Sequence, residues 1–366
     1  MMQSDYMAQA IAAARLGTGL TYRNPLVGAV IVNNDRVLAV GHHVGFGHAH
    51  AEVDAYQHVT HPEDVIGSTM YVTLEPCSHY GKTPPCAQQL VKWGVKEVFV
   101  AQQDPNPLVG GKGIAYLRDH GVQVHIGLME VAARQLNRAY NFYYEHQRPL
   151  VTVKVAQSLD GKLSLNDGKR TYLTDTVANA DVDHLRASQQ AILIGSQTAI
   201  DDDPRLLVKE KVAYPPVRVL LDRRNRVSHE SRLWQKNKTP LWHFVTGKES
   251  TKGIEDDIEG KDTRRTFIAP EWSIGKVIQT LSDKGIQSVL VEGGTHIQDA
   301  FLRAGLVDQL IIYQVPEIFG GQSLASFTSS ANSMRTRFTP VTIEKCGNAT
   351  KMTFIRPSLA ADWGLD

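Results

Sequence analysis

Two α/β domains in tandem are what this sequence predicts, and three observations carry that reading. The chain has 366 residues, more than a single core of ordinary size organises, so two domains are expected. Apolar runs of strand length alternate with segments of helical periodicity along most of it, the pattern of α/β architecture with a largely parallel sheet. The polar stretch Glu145-His146-Gln147-Arg148-Pro149 interrupts that alternation. It reads as a linker, dividing the chain into residues 1–146 and 147–366.

The elements of the first domain follow in order. Tyr6 to Leu16 places Met7, Ala10, Ile11 and Ala14 at helical spacing, so an amphipathic helix opens the chain. After Asn24-Pro25-Leu26, the run Val27 to Val32 is apolar throughout and reads as a buried strand. Asn33-Asn34-Asp35 makes a turn, and Arg36 to Gly41 returns as a second strand. His50 to Val59 reads as a helix and Thr69 to Leu74 as a strand with Pro76-Cys77 at its exit. Pro84-Pro85 then starts a helix over Cys86 to Trp93, because proline suits the first helical turn. Beyond the glycines Gly110, Gly111 and Gly113, a helix (Ile114 to His120), a strand (Val122 to Ile126) and a helix (Glu130 to Tyr143) complete the domain.

In the second half the expected strands are Val151 to Ala156, Ala191 to Gly195, Val217 to Leu221, Leu241 to Val245, Arg265 to Ala269, Ser288 to Val291 and Gln309 to Tyr313. Lys248 to Thr263 is charged and reads as a surface loop with a short helix. No G-x-G-x-x-G follows a strand here, so an ordinary Rossmann cofactor site is not supported. Val291-Glu292-Gly293-Gly294-Thr295-His296-Ile297 does run from strand through a glycine turn into a helix. Such a turn brings backbone amides and a helix N-terminus close to a phosphate, although it can equally serve to reverse the chain. Asp222-Arg223-Arg224-Asn225-Arg226 ends a strand in a basic cluster. That cluster either receives a ribose 2′-phosphate or is a solvated turn.

Composition narrows the class of function. Hydrophobic residues make up 42% and charged residues 21%, close to the globular average. A net charge of +1 gives no general reason to expect binding to nucleic acid or an anionic membrane. No apolar run approaches the roughly 20 residues of a membrane span. Met1 to Ala14 lacks the basic start and apolar core of a signal peptide. Three cysteines make no disulfide framework, which fits a reducing cytoplasm.

Chemistry concentrates at His50-Ala51-Glu52, Pro76-Cys77 and Cys86. Three zinc donors with a separate carboxylate suit a catalytic site, since a structural site closes its tetrahedron with four protein ligands. Glu52 is then placed to move protons to and from an activated water. H-x-E followed by P-C-x-x-C is the layout of zinc nucleobase deaminases; here eight residues, Ser78 to Pro85, separate the cysteines instead of two. A cysteine at a helix start also gains from the dipole, which favours the thiolate that zinc requires. Taken singly, each residue could be an ordinary buried side chain; the complete set is what points to a metal. Gly47-His48-Ala49 adds a histidine whose spacing from Glu52 does not fit a ligand, and His48 reads as a loop residue.

Thr73-Leu74-Glu75-Pro76-Cys77-Ser78-His79-Tyr80-Gly81-Lys82-Thr83-Pro84-Pro85-Cys86 resembles the signature of the deaminase half of the bifunctional riboflavin-biosynthesis deaminase/reductase family, long cysteine spacing included. Asn24-Pro25-Leu26-Val27-Gly28 and Asp104-Pro105-Asn106-Pro107 match two further segments of it. Lys154 to Lys162, Leu185-Arg186-Ala187, Gly195-Ser196-Gln197-Thr198 and Asp202-Asp203-Pro204-Arg205-Leu206 resemble its reductase half in the same order, so the likeness covers nearly all of residues 5–356.

The resemblance implies an N-terminal cytidine-deaminase-like zinc domain followed by a dihydrofolate-reductase-like α/β domain. It implies one Zn2+ per chain on His50, Cys77 and Cys86, Glu52 as the catalytic acid/base, and a substrate pocket lined by Asn24, His43, His79, Lys82, Asp104 and Asn106. Lys82, with His79, is the expected partner of the substrate phosphate. In the reductase half it implies NADPH contacts at Ala156, Tyr172, Thr198, Asp202, Arg223 and Gly294, Thr295, His296, Ile297, Gln298, Asp299 and Ala300. Substrate contacts are implied at Arg170, Arg186, Leu206, Lys209 and Glu292. Lys209 stands where arginine is frequent, keeping charge without bidentate geometry. The implied reactions are hydrolytic deamination of a diaminopyrimidinone carrying a phosphoribosylamino chain, then NADPH-dependent reduction of that ribosyl chain to ribityl. The implied partners are these small molecules and a second copy of the chain, as a homodimer.

Overall fold

The computed structural model describes residues 2–78, 80, 84–165, 171–235, 237–248, 254–258, 262–328 and 335–365. The chain divides into two compact units: Met1–Gln147 with Asp362–Gly364, and Arg148–Ala361 with Leu365–Asp366.

The first unit runs α1 (Gln3–Ala14), β1 (Gly28–Asn33), β2 (Arg36–His42), α2 (Ala51–Gln57), β3 (Thr69–Val72), α3 (Cys86–Lys92), β4 (Glu97–Val100), α4 (Lys112–Asp119), β5 (Gln123–Ile126), α5 (Glu130–Leu136) and α6 (Arg138–His146). Its sheet has the order β2-β1-β3-β4-β5, antiparallel among the first three strands and parallel among the last three. Both faces are covered. Ala29, Ile31, Met70, Val72, Val98 and Val100 pack with Ala51, Ala55, Ala87, Leu90 and Leu117 from α2, α3 and α4. Val30, Val32, Tyr71 and Phe99 face the other way, onto Tyr6, Met7, Ala10 and Ile11 of α1 and Ala133 of α5. A strand buried on both faces has no polar alternation to display, which is why β1 is apolar from Gly28 to Val32. At Gly28 a Cβ would stand 1.9 Å from the Ala10 carbonyl oxygen, so α1 lies on β1 at a distance only glycine permits.

Two readings of this half change. β4 went unread because Lys96 and Glu97 interrupt its apolar run, yet it is the strand between β3 and β5. Glu130 to Tyr143 is two helices, not one. They meet at Asn137 (φ −119°, ψ 35°), whose buried side chain bonds to Leu26 instead of facing solvent.

The second unit contains β6 (Leu150–Gln157), β7 (Lys162–Ser164), α7 (Thr176–Ala187), β8 (Ala191–Gly195), α8 (Ser196–Asp202), β9 (Val217–Leu221), β10 (Leu241–Thr246), β11 (Ile254–Ile258), β12 (Asp262–Ala269), α9 (Ile274–Asp283), β13 (Ser288–Glu292), α10 (Thr295–Arg303), β14 (Gln309–Gln314), β15 (Leu324–Ala325), β16 (Thr339–Cys346) and β17 (Ala349–Ile355). Ten of these strands form one sheet in the order β11-β12-β10-β9-β8-β13-β6-β14-β17-β16. It is parallel from β12 to β14 and antiparallel at each end. Val153, Leu193, Val219, Phe244 and Val291 bury one face against Val277 and Leu281 of α9 and Phe301 of α10. Ile192, Ile194 and Leu220 bury the other with Ala199 of α8, and Ile311 and Tyr313 with Ala178 and Val182 of α7.

Here too the structure revises the sequence reading. Within Lys248 to Thr263, the described residues form β11 and the start of β12, paired antiparallel, with no helix among them. Pairing satisfies backbone groups that an isolated edge leaves open. The β16–β17 hairpin was not expected, because both strands mix exposed polar positions with few fully buried ones.

Candidate functional site

Three elements of the first unit deliver His50, Cys77 and Cys86 to one point. His50 is the N-cap of α2, with extended backbone (φ −73°, ψ 162°). Cys86 is the first residue of α3, entered through Pro85. Cys77 lies in the segment that leaves β3, and its Sγ accepts the Cys86 N–H at 3.3 Å. His50 Nδ1 stands 3.6 Å from Cys77 Sγ and 3.3 Å from Cys86 Sγ, and all three donor atoms lie within 4.8 Å of one another. Zinc bonds of about 2.3 Å to sulfur and about 2.0 Å to nitrogen put tetrahedral N and S donors about 3.5 Å apart. The residues therefore fit the ion. The bond between the two thiols lowers Cys77, helped by His50, and with burial raises Cys86, so without a metal the pair keeps its thiolate on Cys77, the form a metal binds. His48 is exposed in a turn and is not one of the three.

Metal analysis of cysteine variants checks this geometry. Cys77→Ala and Cys86→Ala are each expected to purify with little zinc. Cys346→Ala is expected to keep its full complement, because Cys346 packs with Val182 and Tyr313 in the second unit. Full occupancy in both of the first two variants would remove them as ligands.

Glu52 follows His50 by two residues and is 3% exposed. Burial, together with the charge on Cys77, pushes its carboxyl up to about 7. His43 is buried and stacks edge-on against His50 with 5.3 Å between centroids. Its Nδ1 pairs with the Ala49 carbonyl at 3.0 Å and its Nε2 with Asn24 Nδ2 at 3.2 Å. Asp104 is buried and accepts the Asn106 N–H at 2.8 Å, while Asn106 accepts the Leu108 N–H at 3.0 Å. His79 and Lys82 lie outside the described residues, as does Arg170.

Glu75 had no role in the sequence reading beyond its place in the motif. Its buried carboxylate accepts the backbone N–H groups of Gly111 and Gly113 at 2.9 Å each, of Ile114 at 3.2 Å and of Asp104 at 3.3 Å. It thus caps α4 and ties the Asp104 turn to the residue before Pro76-Cys77. Gly113 completes the joint: a Cβ there would stand 1.9 Å from the Pro76 carbonyl oxygen. An acidic residue immediately before the Pro-Cys step, followed downstream by clustered glycines, was the available signal.

In the second unit, Glu292 at the end of β13 is 6% exposed. Arg186 Nε lies 2.7 Å from one of its oxygens and Lys154 Nζ 3.3 Å from the other. Burial alone would raise this carboxyl, but the two cations outweigh it and hold it below its ordinary value. Lys154 was read only as part of a motif; strand pairing of Lys154 with Glu292 brings it into the site. Thr198 Oγ1 accepts the Gly294 N–H at 3.0 Å, joining α8 to the turn before α10. Thr295 donates to the Ala325 carbonyl, Gln298 Nε2 donates to the Gly293 carbonyl at 2.7 Å, and Asp299 accepts the Thr328 hydroxyl at 2.6 Å. These three side chains are buried and brace the turn from within. Leu206 is buried with φ +50°, and Lys209 donates its N–H to Asp183 at 2.8 Å. Ala156 is near the end of β6, Asp202 ends α8, and Tyr172 is exposed. Arg223 is exposed. The arginine of its cluster that reaches α8 is Arg226, bonded to Ser196 Oγ at 2.8 Å and Gln197 Oε1 at 3.2 Å.

Residues 1–102 match the cytidine and deoxycytidylate deaminase zinc-binding region, a match that ends before α4. Residues 149–352 match the RibD C-terminal domain. The chain is 39% identical to the riboflavin biosynthesis protein RibD of Bacillus amyloliquefaciens, over 97% of this chain and 96% of that one. It is 36% identical to the RibD of Escherichia coli, over 88% and 90%. Among solved structures, RibD of Acinetobacter baumannii superposes with a TM-score of 0.86 at 35% identity, covering 96% of this chain and 98% of that one. A diaminohydroxyphosphoribosylaminopyrimidine deaminase/5-amino-6-(5-phosphoribosylamino)uracil reductase of Thermotoga maritima gives 0.82 at 31% identity, with the same coverage.

Proposed function

The chain belongs to the RibD family of riboflavin biosynthesis proteins, and from that premise we propose a division of its two activities among particular residues. It is a bifunctional enzyme that uses zinc and NADPH to carry out a deamination and then a reduction. We assign the deamination to residues 1–146 and the reduction to 147–366. The substrate of the first step is a diaminopyrimidinone carrying a phosphoribosylamino chain.

Zinc held by His50, Cys77 and Cys86 supplies the Lewis acidity that makes water nucleophilic near neutral pH. Glu52 carries one proton of the water to the ring nitrogen and then the remaining hydroxyl proton to the amino group, which leaves as ammonia as the ring carbonyl forms; one carboxylate that gains and loses a proton in turn serves both transfers. Asn24, His43, Asp104 and Asn106 hold the pyrimidine, and Lys82 with His79 takes the phosphate. In the second unit NADPH supplies hydride. Arg186, Lys154 and Glu292 form a charged floor that orients the ribosyl chain, with Leu206 and Lys209 beside it. Ala156, Tyr172, Thr198, Asp202, Arg223 and the turn from Gly294 to Ala300 hold the cofactor. The protein acts in the cytoplasm as a homodimer on small molecules; no described helix is long and apolar enough to cross a membrane.

One observation carries the residue assignment: three zinc donors converge on one point with a buried carboxylate two residues from one of them. Incubation of purified protein with the diaminopyrimidinone, with and without NADPH, tests the whole reading. Mass analysis is expected to show the deaminated product alone without NADPH and the ribityl product with it. Ammonia release without any later NADPH oxidation would reduce the protein to a deaminase.

A further inference from the structure

One side of α6 is polar although it is buried. Asn137, the residue that caps α6, and Tyr140 and Asn141 in its first turn are 6%, 8% and 3% exposed. Each directs its polar atoms to a different segment of the deaminase pocket. Asn137 Oδ1 accepts the Leu26 N–H at 2.7 Å and its Nδ2 donates to the Leu26 carbonyl at 2.8 Å. A side-chain amide thus pairs with backbone two residues from Asn24, as a neighbouring strand would. The Tyr140 hydroxyl donates to Asp104 Oδ1 at 3.0 Å and Oδ2 at 3.3 Å. The amides of Asn141 and Gln102 pair at 2.8 and 3.3 Å. Gln102 in turn accepts the Glu75 N–H at 2.9 Å, beside Pro76-Cys77.

We propose that α6 is a positioning element of the deaminase, with Asn137 and Tyr140 setting where Asn24 and Asp104 stand relative to the zinc ligands. Apolar side chains at these places would bury as readily, but they carry no direction. Hydrogen bonds fix distance and orientation, and leaving one partner unpaired in the interior is costly. The Asn106 N–H and the Tyr140 hydroxyl both reach Asp104 Oδ1, and the hydroxyl also lies 3.3 Å from Oδ2, so the carboxylate is held both by its own turn and by α6. The inference rests on the reading that Asn24 and Asp104 contact the pyrimidine.

Full-length, zinc-loaded Tyr140→Phe and Asn137→Asp test it, each keeping the size of the original side chain. Misplacing a binding group by about 1 Å costs up to about a hundredfold. Each variant is therefore expected to raise KM for the pyrimidine at least about tenfold, with a smaller change in kcat. Zinc content and NADPH-dependent reduction of supplied deaminated intermediate are expected to stay at wild-type levels. Asp104→Asn and Asn24→Ala serve as references. If these references are impaired while Tyr140→Phe and Asn137→Asp show wild-type KM and kcat, the positioning role is wrong and the pocket assignment stands. If the references are themselves fully active, the pocket assignment fails and takes the positioning role with it. Parallel losses of zinc and of both activities in Tyr140→Phe would mark a structural role only and overturn the proposal.

Discussion

Glu52→Gln is expected to abolish ammonia release while the protein keeps its zinc. The amide preserves the size of the side chain and so leaves His50, Cys77 and Cys86 in place, but it cannot accept a proton and pass it on. Removing a positioned acid/base typically costs about a hundredfold to ten-thousandfold in rate, and here one group serves both the attacking water and the departing ammonia. Supplied with deaminated intermediate, the variant should oxidise NADPH at the wild-type rate. Near-wild-type ammonia release from metal-replete Glu52→Gln would take Glu52 out of the mechanism.

The second large effect is expected on stability. Asp308, buried at the start of β14, takes Arg148 in a bidentate pair at 2.6 and 2.7 Å and accepts the Val151 N–H at 3.0 Å. Asp308→Ala leaves a largely buried guanidinium and a backbone donor without this partner. Breaking a buried ion pair from one side costs about 3–5 kcal/mol. For a unit of this size that lowers the midpoint of thermal inactivation by roughly 10 °C. Because the pair lies within the second unit, NADPH oxidation should fail at the lower temperature while ammonia release persists. A common, unshifted midpoint for the two activities would remove Asp308 as an anchor.

Much of the fold was legible in the sequence, and the exceptions have identifiable causes. The apolar run of β1 and the alternation of parallel strands with helices in the second unit are consequences of two-faced burial, which writes itself into local pattern. β4, Glu97–Val100, was missed because Lys96 and Glu97 break the apolar run on its N-terminal side. The β11–β12 pairing was missed because a charged stretch can still be an edge strand when its backbone finds a partner. The break at Asn137 was missed because Ala132, Ala133 and Leu136 before it and Tyr140 after it continue a helical pattern; only the Leu26 backbone, 111 residues away, explains it.

The same division holds for the site. Residue type and spacing by themselves picked out His50, Cys77, Cys86 and Glu52 as candidates, because metal ligation and proton transfer demand particular side chains on short local segments; the order of the two activities came from the resemblance of longer segments to a known family. Only the tertiary structure decided what holds them. Lys154 joins Glu292 through strand register. Glu75 gathers four backbone donors across nearly 40 residues. Tyr140 meets Asp104 across 36 residues. Such contacts leave no period in the sequence: a buried hydrogen bond needs one donor and one acceptor brought together, and where along the chain the second lies is set by how the elements pack.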